Sequence, residues 1–277
     1  MTETGVPSHV SARDLGRLLD SLRRKRPLVQ CVTNLVSMDV TANVLLALGA
    51  SPAMVHAPEE SGEFIGLADA LVCNIGTLSQ AWLDSLETAA AAAAAKGRPW
   101  ALDPVGVGAT QVRNAAVERL LVHRPTAIRG NASEIIAMAR NAGLTEQVAS
   151  FKGVDGFDSG DDALTLSRRL AQRHRCVVAA TGAVDIVTDG SRVAKLSNGS
   201  PLMARVTALG CALSAVVAAF LAVTDDSFEA VVAAVAVYGV AGDMAAAGAL
   251  RPGSFRVAFI DALDAIGAQD LMRAKID

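Results

Sequence analysis

Short apolar runs alternate with longer helical segments along most of this 277-residue chain. The runs Leu28–Val32, Ala53–His56, Ala70–Asn74, Trp100–Leu102, Ala127–Arg129 and Cys176–Thr181 read as strands. Between them the spacing of apolar residues predicts helices over 12–25, 39–49, 79–96, 113–123, 131–140 and 161–174. Strands joined through helices lie parallel, and a parallel sheet needs cover on both faces. Two more strands, Asp185–Thr188 and Val193–Leu196, flank the turn signal Asp189-Gly190, so one edge is expected to be antiparallel. The last third, 210–223, 226–248 and 257–270, reads as nearly all helix. The expectation is a three-layer α/β/α fold with a mostly parallel central sheet flanked by helices.

Hydrophobic residues make up 52% of the chain and aromatics only 4%, so the core is built mainly of Ala, Val and Leu. Small side chains suit close packing of helices on a sheet. No internal repeat and no long Pro/Gly/Ser linker divides the chain, which reads as a loose tail over 1–10 and one domain over 11–277. The Ala89–Ala95 run needs no special role, because Ala is the best helix former. A formal charge of −3 and a pI near 5.8 argue against a nucleic-acid or anionic-membrane partner. The one basic cluster, Arg23-Arg24-Lys25-Arg26, reads as the solvated end of the first helix. Residues 1–10 lack the apolar core of a signal peptide, and the apolar stretch Cys211–Val223 is too short to cross a bilayer. Cys31, Cys73, Cys176 and Cys211 form no CxxC pair, which fits a reducing cytoplasm rather than a zinc site or disulfide framework.

The segment Val206 to Ala215 carries the most chemical information. A turn containing Thr207 and Gly210 runs into an apolar helix with Cys211 in its first turn. Unpaired N–H groups and the positive end of the helix dipole suit a phosphate there, and a cysteine in that place is expected to have its thiolate favoured. Asp103 ends an apolar strand before Pro104, Gly106 and Gly108, where open α/β sheets place ligands. It either serves Mg²⁺ and phosphate or caps a turn. Asn131 and Glu134 have capping-box spacing at the next strand-to-helix passage; Arg129 beside them can meet a phosphate, and Glu134 can lie near metal-bound water. Thr181, before Gly182, ends another strand and can bond a phosphate oxygen. Gly49 reads as a helix C-cap and Met54 as a strand residue, in the core or lining a pocket. There is no GxxxxGK[ST]; Gly106 and Gly108 do not extend to GxGxxG, since residue 111 is Gln. His9, His56, His123 and His174 are scattered. Together these features point to phosphoryl transfer onto a small alcohol.

Several segments in the same order carry a resemblance. They are Val32-Thr33-Asn34, Thr41-Ala42-Asn43, Leu45 to Met54, Ala57-Pro58-Glu59-Glu60 and Asn74-Ile75-Gly76-Thr77-Leu78. Leu102-Asp103-Pro104-Val105-Gly106, Ala127 to Ile135, Lys152-Gly153-Val154-Asp155 and Gly210-Cys211-Ala212-Leu213 complete them. From about Arg26 to about Leu263 the chain resembles the hydroxyethylthiazole kinases, ribokinase-like kinases of thiamine salvage. The resemblance implies ATP- and Mg²⁺-dependent phosphorylation of the hydroxyethyl group of 4-methyl-5-(2-hydroxyethyl)thiazole. It implies that Met54, Asn34 and residue 208 meet the thiazole, that Arg129, Thr181, Gly210 and Asn131 serve ATP and its phosphates, and that Asp103 and Glu134 serve the metal. Cys211 takes the place that related sugar kinases give to an Asp base, with Asp103 beside it in the chemistry. A homotrimer with thiazole sites where subunits meet is also implied. The family usually has Gly-x-Gly-Cys where this chain has Ala208-Leu209-Gly210-Cys211, so a methyl group is added at a substrate position. Two other readings stay open: a superfamily kinase for another primary alcohol such as hydroxymethylpyrimidine, and a non-catalytic thiazole- or nucleotide-binding protein. The missing dinucleotide fingerprint speaks against a reductase.

Overall fold

The computed structural model describes residues 10–145 and 160–277. The Lys152-Gly153-Val154-Asp155 segment and residues 1–9 of the expected tail lie outside these, while Val10 is buried. Among the described residues eight strands form one sheet: β1 (Leu28–Val32), β2 (Ser51–Ala53), β3 (Ala70–Asn74), β4 (Trp100–Asp103), β5 (Ala127–Asn131), β6 (Val177–Thr181), β7 (Asp185–Thr188) and β8 (Val193–Leu196). Their order is β2-β1-β3-β4-β5-β6-β7-β8. The pairings from β2 to β6 are parallel, and those of β6 with β7 and β7 with β8 are antiparallel.

Alternation along the strands divides the core in two. Ala70 and Val72 face one way with Val29, Ala101, Ala127, Val177 and Ala179. That face is covered by α1 (Ala12–Lys25), α2 (Met38–Leu48), α8 (Leu209–Leu221), α9 (Ser227–Gly248) and α10 (Pro252–Ala265). Leu71 and Cys73 face the other way with Trp100, Leu102, Ile128 and Val178. There the cover is α3 (Pro58–Phe64), α4 (Gln80–Ala95), α5 (Gln111–Leu121), α6 (Ala132–Asn141) and α7 (Gly160–His174). The three-layer expectation is met. Helix α9 is long and apolar enough to span a bilayer, but 78% of its most apolar window is buried within the fold.

Four local expectations differ from the structure. Strand β2 ends at Ala53, before Met54. Past the strand end, the Gln30 side chain donates to the Val55 carbonyl at 3.2 Å. Helix α3 was not expected, although Pro58 at its start and Glu59 and Glu60 in its first turn are helix-start signals. Helix α10 begins earlier, at Pro252, and Asp270–Arg273 form a separate 3₁₀ turn. The basic cluster is not wholly solvated. Arg23 turns inward and donates to the carbonyls of Ile266 at 2.7 Å, Asp264 at 2.9 Å, Leu263 at 3.1 Å and Leu48 at 3.4 Å. Those carbonyls belong to helix C-termini that have no intrahelical partner for them. One guanidinium thereby ties α1 to the ends of α2 and α10. Arg23→Ala should lower the free energy of unfolding by about 2–3 kcal/mol, the scale of hydrogen bonds to a charged group. Urea denaturation checks this as a lower midpoint with an unchanged slope.

Candidate active site

The carboxyl ends of the parallel strands carry the site. Asn74 and Asp103 end β3 and β4 and stand in register. Asn74 Nδ2 donates to Asp103 Oδ2 at 2.6 Å. Asn74 Oδ1 accepts from Asn34 Nδ2 and from the Gly76 N–H, both at 2.9 Å. Asn34 follows β1, and its own Oδ1 accepts the N–H groups of Val36 and Ser37, each at 3.1 Å, which orients the amide. Its Nδ2 also reaches Cys211 Sγ at 3.3 Å. A side chain at residue 76 is excluded, because a Cβ there would lie 2.6 Å from Asn34 Nδ2. From the first turns of α8, Ser214 Oγ donates to Asp103 Oδ2 at 2.9 Å. A continuous hydrogen-bonded chain therefore runs Cys211–Asn34–Asn74–Asp103–Ser214. Asp103 Oδ1 is buried and has no protein partner.

Burial pushes the Asp103 carboxyl up to about 6; Glu134 adds to this, while Arg129 and the bonds from Ser214 and Asn74 oppose it. The Cys211 thiol is also pushed up, first by burial and then by the charge of Asp103. The Asn74 and Asn34 amides and Arg129 pull the other way without prevailing. The favoured thiolate expected from the helix start is thus corrected: burial and a carboxylate neighbour push the thiol the other way.

Beside this cluster lies a cavity of about 550 Å³ lined by Arg129, Thr181, Asp185, Gly210, Leu213 and Tyr238 among others. Arg129 leaves β5 and its Nη2 donates to Thr181 Oγ1 at 2.5 Å. The guanidinium lies against the start of α8, since a Cβ on Gly210 would be 2.9 Å from Arg129 Nη1. Arg129 Nε is buried without a partner. Tyr238 OH, on α9, donates to the Leu209 carbonyl at 2.7 Å and steadies that first turn. Asp185 Oδ1 accepts the Gly182 N–H at 2.9 Å, and burial pushes its carboxyl up to about 6. Ala208, just before α8, has φ 67, a left-handed conformation that costs a non-glycine residue about 1–2 kcal/mol. A larger hollow, of about 1390 Å³, opens around Arg124, Arg175 and Asp226 on a different part of the surface and contains none of these residues.

Asp103, Cys211, Asn34, Arg129, Thr181 and Gly210 are thus brought to one edge. Asn131 and Glu134 form the expected capping box, with Asn131 N–H donating to Glu134 Oε2 at 2.9 Å. Glu134 Oε1 also accepts the Gly106 N–H at 2.9 Å, and the Gly108 N–H donates to Asn114 Oδ1 at 2.7 Å. The N–H groups of Gly106 and Gly108 are therefore occupied within the protein. Met54 packs partly buried against the core, and its carbonyl faces His56 Nδ1 at 3.2 Å. No hydrogen bond among the described residues joins Met54 to the Asp103 cluster. Among the described residues no three His, Cys, Asp or Glu side chains converge as a metal cage. Asn74, Ser214, Asp185 and Tyr238 were not singled out in the sequence. A polar residue ending a buried strand (Asn74) and a serine three residues after Cys211 were the available signals.

The raised Asp103 carboxyl has a consequence for stability. Its neutral form favours the folded state fully below about pH 4, and that contribution is lost as pH rises through about 6. Asp103→Asn keeps the oxygen that Asn74 and Ser214 bond but cannot ionise. Its stability relative to the parent should rise between pH 4 and pH 7, on the order of 2–3 kcal/mol. Denaturant titrations of both proteins at each pH measure this, and a flat difference would refute it.

The family model described as the hydroxyethylthiazole kinase family matches residues 19–269. A hydroxyethylthiazole kinase from Rhizobium etli is 54% identical over 261 residues, covering 94% of this chain and 99% of its own. The solved structure of a hydroxyethylthiazole kinase from Pyrococcus horikoshii is 39% identical, with TM-score 0.88 over 96% of this chain and 98% of its own. A ribokinase-like superfamily protein from Enterococcus faecalis shares the fold at 13% identity, with TM-score 0.62 over 95% of this chain and 98% of its own. By model, relative and structure alike, the chain belongs to the hydroxyethylthiazole kinase family.

Proposed function

We propose that this chain transfers the γ-phosphoryl group of ATP to the hydroxyethyl oxygen of 4-methyl-5-(2-hydroxyethyl)thiazole, as a step of thiamine salvage in a reducing cytoplasm. The observation that carries this reading is the hydrogen-bonded chain from Cys211 to Asp103, set beside a helix start against which Arg129 lies. The N–H groups around Gly210, with Arg129, Thr181 and Asn131, serve the phosphates of ATP. Asn34, Met54 and Ala208 serve the thiazole. The residues over 11–277 act as one kinase domain, and three copies form a homotrimer with thiazole sites at subunit contacts.

The donor set fits Mg²⁺. Asp103 keeps one buried oxygen free of protein partners, and Glu134 lies close enough to affect its ionisation. Two carboxylates completed by phosphate and water suit this ion better than an all-protein cage. When bound there, Mg²⁺ neutralises charge on the phosphates. The alcohol oxygen attacks the γ-phosphorus in line as the bond to ADP breaks, and the alcohol proton passes late to a phosphoryl oxygen, through a transition state that needs little help from a base. Cys211 enters this step as a thiol held by Asn34, and its raised pKa favours orienting the hydroxyl over removing its proton.

ADP release by the purified protein with Mg-ATP tests the reading, with the thiazole alcohol, hydroxymethylpyrimidine and no acceptor in parallel. Thiazole-dependent ADP is expected. Release with the pyrimidine alone would assign a different acceptor, and nucleotide binding with no release would assign a binding role. In the same assay Cys211→Ser should keep measurable turnover, slowed by less than about a hundredfold, the least that loss of a positioned proton-transfer group would cost. Complete loss in a folded variant would make Cys211 the base.

A further inference from the structure

Arg113, on α5, is half-buried and spends its guanidinium on main-chain carbonyls. Its Nη1 donates to the carbonyls of Ile75 and Val105, and its Nη2 to that of Gly76, each at 2.7 Å. Among the described residues it forms no ion pair. Ile75 and Gly76 directly follow Asn74, and Val105 lies two residues past Asp103. One planar fork therefore spans the loops after β3 and β4, which are otherwise tied to each other by the Ile75 N–H donating to the Asp103 carbonyl at 3.3 Å. The β4 loop wraps the Arg113 stem at Gly106, whose φ is 72 and where a Cβ would lie 3.3 Å from Arg113 Cδ. Without the guanidinium, three carbonyl oxygens would converge with no donor between them, a loss felt in both loops. The fork has fixed geometry, which a lysine ammonium does not reproduce.

We propose that Arg113 is a positioning residue for phosphoryl transfer. Its three carbonyl bonds hold the β3 and β4 loops at the separation that sets the Asn74–Asp103 bond. Through the Gly76 N–H on Asn74, and Asn34 beside it, they also set the place of the Cys211 thiol. This rests on the kinase reading for its catalytic consequence, though not for its geometry.

Two readouts on the full chain test it, with Arg113→Ala, Arg113→Gln and Arg113→Lys compared well below their unfolding temperatures. The first is steady-state ADP formation: kcat should fall about tenfold to a hundredfold, the cost of a small misplacement at the reacting centre, with KM for ATP little changed. The lysine variant should not restore kcat. The second needs no catalysis: alkylation of Cys211 by iodoacetamide, followed by peptide mass. Cys31, Cys73 and Cys176 are buried, so Cys211 is the reporter. Its alkylation should become several-fold faster in the variants. Wild-type kcat and unchanged alkylation, with only a lower melting temperature, would overturn the proposal, as would full activity of the lysine variant. Should the alanine variant fail to fold, the lysine and glutamine variants carry both readouts. If the wild type itself releases no ADP, the kinase reading fails, and the alkylation rates still decide the role of Arg113.

Discussion

The bond from Asn74 to Asp103 stands at the centre of this site, and the parallel register of two neighbouring strands is what makes it possible. Both residues end their strands opposite one another, so their side chains leave the sheet at the same height. Each then takes a second set of partners: Asn34 and the Gly76 N–H on one side, Ser214 on the other. Arg113 acts one level further out, on the carbonyls that carry those loops. Remove the register and neither the carboxylate nor the thiol has a defined place.

Burial is the largest influence on the ionisation of Asp103 and Cys211. Asp103 is fully buried, so its ionised form is disfavoured in spite of two donors and the nearby Arg129. Cys211 sits at the start of a helix, an arrangement that by itself would lower a thiol. The same short distances that connect it to Asn34 also bring it near Asp103, and two negative charges there are mutually unfavourable. A thiol that keeps its proton is a good director of a hydroxyl group and a poor base.

Much of the fold was legible because its signals are local. The runs Leu28–Val32, Ala70–Asn74, Asp185–Thr188 and Val193–Leu196 are strands with those same ends, and α1 spans 12–25 as its spacing predicts. Strand β2 was misplaced because its extent is set by pairing with β1, Leu28–Gln30 against Ser51–Ala53, rather than by its own residues. Arg23 was read as solvated for the same reason, since its carbonyl partners come from two other helices. In the site, Asp103, Arg129, Thr181 and Gly210 were visible at strand or helix ends, where α/β sheets expose side chains. Asn74 and Ser214 were not singled out, because their roles depend on partners on other strands and helices. The ionisation of Cys211 was misjudged because burial is a property of the folded molecule and leaves no mark in a short segment.

The sheet also acts as a partition. Trp100 and its neighbours pack against one helical layer, Phe220 and its neighbours against the other, and alternate residues of the same strand serve opposite sides. Repacking on one side therefore has little reason to disturb the other, and changes in the two layers should be close to thermodynamically independent. One exception is the carboxyl edge. There α8 reaches Asp103 from one layer, while α5 reaches the adjoining loops from the other. Two half-cores packed on opposite faces of one sheet are thus held to a common standard where they share the site.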